Sequence, residues 1–419
     1  MKITAKTFVK LTVLGMSWTI VYTLAFIQYI LYDPFLESIG CTNAQLGLLM
    51  TIFGLGNVLG APVGGWLADR FDYKKIYVGS LIVNGVLPII FANSMNYGTA
   101  IVIWIGLAVG ALVMNYPSHI KIVRMLADDS NQGKIFGLNE SFVGITGIVL
   151  NAILLFAFAK FGEGILGVKA VIYIIGIVSI LCAIASAFIL KDVGKGENFE
   201  TKEKKEKITG KDYLTILRSP ATWLIGLGIF SVYSCAVSMS YFTPYFTAVI
   251  GGTVAISGAL SLIRTYALRL VGAPLGGWLC DKTKSVSKVL LVVYGIGIAI
   301  QIVFIGFVSY ISAAVFILLT LVIGTIVYMG KGSYYALATE LKVPRRFSAS
   351  TIGIAAALGF SPDIFMFALA GHWIDKYGND GYRYIFIFQM IIFIVGILGC
   401  LYALRYRKKL ESQPEEIAV

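Results

Sequence analysis

Twelve long apolar runs, separated by turns that carry most of the charge, fix what this chain can fold into. Their approximate limits are 8–32, 44–68, 76–94, 99–126, 135–159, 168–190, 220–249, 255–280, 288–308, 311–340, 347–374 and 383–404. About twenty apolar residues suffice to cross the hydrocarbon core of a bilayer, so the runs predict membrane-spanning helices, several tilted or protruding. Composition excludes two soluble domains with large cores. Hydrophobic residues make up 58% of the 419 and charged residues 13%, against about 25% charged in a soluble domain. The expected fold class is therefore an all-α polytopic membrane protein with twelve transmembrane helices.

Twelve crossings place both termini on one side, and the bases say which. The turns on the terminal side and the two ends hold 27 of the 34 Lys and Arg residues, the opposite turns only Lys160, Lys169, Lys376 and Arg383. The positive-inside rule puts both termini in the cytoplasm. The same dispersal of bases into short clusters argues against nucleic acid as the partner of the +12 charge. Lys2 to Ile30 superficially resembles a secretory signal, but its apolar run is too long and no small-residue cleavage site follows it, so it is expected to be the first retained span. The five cysteines show neither metal-ligand spacing nor a disulfide framework, and no metal or cofactor is expected.

The chain repeats itself by halves. Gly60-Ala61-Pro62-Val63-Gly64-Gly65-Trp66-Leu67-Ala68-Asp69-Arg70 returns as Gly272-Ala273-Pro274-Leu275-Gly276-Gly277-Trp278-Leu279-Cys280-Asp281-Lys282, with eight of eleven positions identical at an offset of 212. Two similar bundles are expected, 1–190 and 220–404, joined by a Lys- and Glu-rich cytoplasmic linker at 191–219 and followed by a short tail, 405–419. The linker is expected to be disordered or a short surface helix.

On these residues the chain resembles the major facilitator superfamily of secondary transporters. Gly65, Asp69, Arg70 and Lys74 match its signature in the turn after span two, with Asp72 and Tyr73 standing where the family carries its second glycine and a base. Gly277, Asp281 and Lys282 match the first part of that signature in the second half. The drug exporters' proline- and glycine-rich pattern is absent from span five, which has no proline, and there is closer similarity to a bacterial branch near the organic-anion and sugar-acid carriers. The resemblance implies two pseudo-symmetric six-helix bundles rocking around a central site. It implies a conformational gating role for Gly65, Asp69, Arg70, Lys74, Gly277, Asp281 and Lys282. It also implies that spans one, two, four and five and their repeat mates line the cavity.

Ions inside the apolar runs mark the candidate site, because a charge at mid-helix costs about 2.5–3.5 kcal/mol on the insertion scale. Arg264, Arg269 and Lys331 are the three bases and Glu140 and Asp363 the two acids. Arg269 precedes Asp281 by twelve residues, about 18 Å of helix, and its repeat mate Asn57 is also polar, so the two are expected to mark the midplane substrate site. Arg269 is read either as a substrate residue or as a structural partner of Asp363. Arg264 points elsewhere and suits access or gating. Lys331, flanked by Gly330 and Gly332, shares a helical face with Tyr328 and Tyr335 at i, i+3 and i+7. A cation between two phenols suits a carboxylate, phosphate or sulfonate; the alternative is a lysine held by backbone carbonyls or by Asp363. Asp363 and Glu140 are candidates for a coupling proton or a counter-ion. Tyr22 and Tyr29, with Trp18 and Tyr32, form an aromatic stripe in span one, and Ser234, Ser238, Tyr241 and Tyr245 a polar one in span seven. Such stripes are more often packing than binding, but these two spans are repeat mates that line the cavity, so Tyr22, Tyr29 and Tyr241 are expected to contact substrate. His119, alone in span four, is expected to be hydrogen-bonded structure.

Three bases against two acids tilt the expected substrate towards a small organic anion, with a neutral sugar or a hydrophobic drug as the alternative. The expected machine is a monomeric carrier of the cytoplasmic membrane, coupled to a proton or a counter-substrate, and not an enzyme. A polytopic membrane enzyme is the rival from another class. It ranks lower because no metal cluster or nucleophile–base pair is spaced for it.

Overall fold

The computed structural model describes residues 5–126, 132–193, 210–307 and 312–412, without the side chains at 57–59, 61–62, 65–66, 68–69, 132–134, 136–137, 210–211, 345–346 and 348–349. Every regular element among the described residues is helical. The first half runs α1 (Ala5–Thr23), α2 (Tyr32–Ile39), α3 (Asn43–Arg70), α4 (Tyr73–Asn93), α5 (Tyr97–Ala108), α6 (Tyr116–Arg124), α7 (Gln132–Lys160) and α8 (Ile165–Ile189). A short α9 (Gly210–Arg218) leads into α10 (Pro220–Ser238), α11 (Phe242–Ala248), α12 (Val254–Leu262), α13 (Leu268–Thr283) and α14 (Val286–Gly306). The chain ends with α15 (Ala313–Lys331), α16 (Leu337–Glu340), α17 (Arg345–Gly359), α18 (Pro362–Tyr377) and α19 (Gly381–Ser412).

Nine stretches of the described residues are long and apolar enough alone to cross a bilayer, or ten if the pair Tyr32–Ile39 and Asn43–Gly56, bent by 98°, is one span. One of the nine, Ser350–Ser412, covers expected spans eleven and twelve. Expected span one is not among the nine, because Lys6 and Lys10 lower the hydropathy of the nineteen-residue α1. Several spans are interrupted. Span four holds a π-helical stretch at Val109–Asn115, span seven a 3-10 turn at Met239–Tyr241 and span eight a π stretch at Ile263–Ala267. Span eleven breaks at Phe360 and Ser361, just before Pro362, whose ring cannot continue a helix and whose missing N–H suits a helix start.

The chain forms two compact units that do not follow the sequence halves. The first holds Met1–Lys202 with Thr243–Ala267 and Phe367–Asp375; the second holds Glu203–Phe242, Leu268–Met366 and Lys376–Val419. The second unit's last helix runs through Ser412, so the first part of the expected tail is helix.

Within the first unit the added segments are tied down by polar contacts. The Asp375 carboxylate accepts the Asn43 and Ala44 backbone N–H groups at 2.9 and 2.7 Å and the Asn43 side-chain amide at 2.8 Å, satisfying donors that the start of α3 leaves open. Thr247 donates its hydroxyl to Asp33 at 2.6 Å, and Thr243 donates to the Tyr29 carbonyl at 3.0 Å.

The duplicated motif has a packing reason. Gly60 and Gly64 are buried on α3, and a Cβ on them would press into Val113 and Pro117 of span four. Gly272 and Gly276 are buried on α13, and a Cβ there would press into Thr325, Tyr328 and Met329 of α15. Val113 and Pro117 correspond to Thr325 and Met329 by the same offset of 212 that relates the glycines. Each unit thus repeats one close helix crossing, in which glycine lets two backbones meet.

In the second unit Glu340 closes the start of α14. Its carboxylate accepts the Ser285 hydroxyl at 2.7 Å and the Val286 and Ser287 N–H groups, and Arg407 of α19 lies 3.6 Å away. A carboxylate at a helix N-terminus satisfies orphan donors and complements the dipole. Glu340→Gln is expected to lower stability by about 1–2 kcal/mol. The loss is measured as a fall in melting temperature in detergent, and an unchanged melt would show that the cap contributes nothing. The first unit does the corresponding job locally: Asp72, one of the departures from the family signature, caps α4 through the Lys74 and Lys75 N–H groups.

Candidate functional site

The site in the second unit is built by the break in span eleven. Pro362 opens α18, which sets Asp363 in the first helical turn, where the dipole favours an anion. Asp363 is 3% exposed and accepts the Tyr233 hydroxyl at 2.9 Å. Phe360, at the same break, meets the Tyr233 ring edge-on with centroids 4.7 Å apart. Tyr233 is therefore fixed at both its ring and its hydroxyl, and it presents its face to Lys331. The Lys331 ammonium lies 5.0 Å from the Tyr233 ring centre and 5.6 Å from that of Tyr328. Lys331 is half-buried at the last turn of α15, where a cation complements the helix dipole.

A cation between two phenols is present, but one phenol differs from that expected. The helix ends at Lys331, and the chain passes through Gly332 and Ser333 into a 3-10 turn, Tyr334–Ala336. The i+7 spacing that would bring Tyr335 onto the face of Lys331 does not survive that break. Tyr335 is 41% exposed and packs edge-on against Tyr334 at 4.6 Å. Its place is taken by Tyr233, nearly a hundred residues earlier in span seven. No local spacing signals that pairing; the sequence stripe in span seven follows a different face. The members of that stripe are core: Ser234, Ser238, Tyr241 and Tyr245 are all buried, with Ser238 donating to Gln389 at 3.1 Å.

Arg269 is half-buried on α13, one turn before the Gly272–Gly276 crossing, and acts electrostatically on Tyr334. Arg264 belongs to the first unit. It is 1% exposed, sits in the π stretch of span eight and donates to the Thr243 hydroxyl at 3.3 Å. The two arginines are thus in different compact units. Asn57, Gly65 and Asp69 lie at positions whose side chains are outside the described residues.

The first unit offers aromatic faces. Trp18 stands against Tyr22, Tyr116 and His119 at centroid distances of 5.1, 5.7 and 4.6 Å, and Tyr22 and Phe26 both meet Phe53. The stripe is not continuous helix, since α1 ends at Thr23 and Tyr29 lies in a 3-10 turn against Phe26 at 5.6 Å. Tyr32 leaves the stripe, being buried with its hydroxyl on Asn43 at 2.8 Å. Glu140 is exposed on α7 near Tyr116. His119 is fully buried, with the Tyr77 hydroxyl 3.4 Å from its Nδ1.

The expected gating residues lie at helix ends. Arg70 is exposed; Lys74 donates to the Lys191 and Val193 carbonyls at 3.1 Å, closing the end of α8. Asp281 and Lys282 are exposed, and the Lys282 ammonium lies 5.1 Å from the Trp278 ring. Gly277 faces open space. Glu340 and Asp375, not singled out from the sequence, accept backbone N–H groups at the starts of α14 and α3.

The Major Facilitator Superfamily model matches residues 11–362. The chain is 27% identical over 388 residues to the inner membrane protein YqcE of Escherichia coli (strain K12), covering 91% of each. It is also 27% identical over 402 residues to the inner membrane protein YihN of the same organism, covering 95% of this chain and 93% of that one. In fold it is similar to a bacterial homolog of the human lysosomal transporter Spinster, with a TM-score of 0.76 at 18% identity over 96% of this chain and 98% of the other.

Proposed function

Because the chain belongs to the Major Facilitator Superfamily and is a multi-pass secondary transporter, we propose that its substrate is a small organic anion, moved across the cytoplasmic membrane by alternating access. One observation carries the reading: Lys331 rests on the faces of Tyr233 and Tyr328, with Tyr233 held by Asp363. Each cation–π contact is worth about 0.5–2 kcal/mol. A charge-assisted hydrogen bond to a carboxylate or phosphate is stronger and directional. An anion therefore draws on the ammonium without the protein having to refold around it. The two rings help to hold the lysine in place.

In this reading Asp363 is the counter-ion that orients Tyr233, and Arg269 and Tyr328 are further contacts of the same unit. Tyr22 and Tyr29 are proposed solute contacts of the first unit, Arg264 a gating residue and Glu140, nearer the cytoplasm than Asp363, a coupling or counter-ion residue. Both termini are assigned to the cytoplasm, from the distribution of bases. The fold and relatives are those of transporters, and catalysis has no part in the proposal.

The test is a melting-temperature screen of the purified protein against small carboxylates, phosphates and sulfonates, each beside a neutral analogue, followed by uptake of any hit into proteoliposomes. Stabilisation and uptake of an anion unchanged in chemistry, with its neutral analogue inert, is the expected result. A neutral sugar or a hydrophobic cation that stabilises and is taken up instead would overturn the anion reading.

A further inference from the structure

The short helix before span seven carries an apolar surface that the transport mechanism does not use. On α9, Tyr213, Leu214 and Leu217 are 49%, 47% and 42% exposed, and they fall within an arc of about 100° of the helix. Ile216, on another side, is 2% exposed, and α9 packs against α10 and α17. Its position is fixed. The Trp223 indole N–H donates to the Leu217 carbonyl at 2.8 Å, and the Thr222 hydroxyl donates to the Ile216 carbonyl at 2.6 Å. These bonds satisfy carbonyls that the end of a helix leaves open and lock α9 onto the first turn of α10. Trp223 is itself 47% exposed, so its ring adjoins the α9 surface.

We propose that this surface docks on the bilayer, with α9 lying in the headgroup layer and Tyr213, Leu214 and Leu217 reaching the acyl boundary. Three features point to lipid as the occupant. The surface is continuous with span seven, whose first turn carries Trp223, and tryptophan collects where a span leaves the hydrocarbon. Arg218 is exposed beside the span's start, where the phosphate layer lies. A short helix with an apolar face beside a basic residue is the form that settles in the membrane interface plane. Docking would anchor the inner end of span seven, and with it the helix that supplies Tyr233.

The test places a bimane fluorophore on Tyr213→Cys and, separately, on Thr215→Cys, which is exposed on the far side of α9. Each variant is reconstituted in vesicles of phosphatidylcholine and phosphatidylglycerol, and protein without the added cysteine sets the labelling background. At position 213 the probe is expected to emit to the blue and to be quenched by nitroxide-bearing lipid at least about threefold more than at 215, with aqueous iodide showing the reverse order. Equal iodide quenching at both positions would place the helix in water and overturn the proposal. A position-213 probe shielded from both quenchers would also overturn it, because protein and not lipid would then cover the surface.

Discussion

Lys331→Ala is expected to abolish anion-dependent stabilisation and to reduce uptake by at least about 30-fold. Truncating one partner of a desolvated charge pair costs about 2–5 kcal/mol, which sets that lower bound. The variant should still fold, because Lys331 is half-buried at the end of a helix and not part of the dry core. Lys331→Arg keeps the charge but changes its shape and reach, and is expected to restore only part of the activity. Tyr233→Phe gives a graded companion. It keeps the ring beneath the ammonium and removes the hydroxyl held by Asp363 at 2.9 Å, so a loss of about 1–2 kcal/mol in apparent affinity is expected. Proteoliposome uptake measures all three. Normal anion transport by Lys331→Ala would remove the site assignment, whatever the other two variants do.

Gly276→Val is expected to damage folding severely, and Gly277→Val next to it to be nearly silent. A Cβ at Gly276 would overlap the Met329 backbone, which cannot swing aside as a side chain end can. A Cβ at Gly277 meets nothing within 4 Å. Overpacking ordinarily costs about 1–3 kcal/mol, and more where backbone is the obstacle. The Gly276 variant should therefore fail to accumulate or melt well below the parent. The Gly277 variant should match the parent in yield and melting temperature, measured by size-exclusion profile and thermal unfolding. Equal behaviour of the two would mean that the helix crossing does not limit stability. Since Gly277 matches the family signature, a transport defect in a well-folded Gly277→Val would then belong to the conformational cycle.

The architecture was legible because lipid imposes a strict length and polarity on every span. The repeat was legible because the same backbone crossing is made twice, and Gly64 and Gly276 must both stay small to make it. Lys331 was legible for a related reason: a lone base in an apolar run is costly enough to need a purpose. Its surroundings were not. Tyr335 was expected beside it by continuing helical geometry through Gly332, where the helix stops. Tyr233 approaches from a remote span, and nothing in its own neighbourhood points to Lys331. Glu340 and Asp375 stand at helix ends among other charges, where sequence cannot tell a cap from a solvated acid. Their partners include the backbone N–H groups of Val286, Ser287, Asn43 and Ala44, which carry no letter in a sequence. The division into compact units was equally invisible, since it separates residues within spans seven, eight and eleven.

The glycine crossing of α13 and α15 has a mechanical corollary. Backbone meets backbone at Gly276 and Gly332, and at Gly272 the Thr325 carbonyl and the Tyr328 Cβ close the same crossing. The two rods must therefore travel as a single stiff strut. Lys331, mounted at the end of one rod beside the last of these contacts, cannot drift towards a ligand on its own; whatever displaces it also drags the turn bearing Asp281 and Lys282.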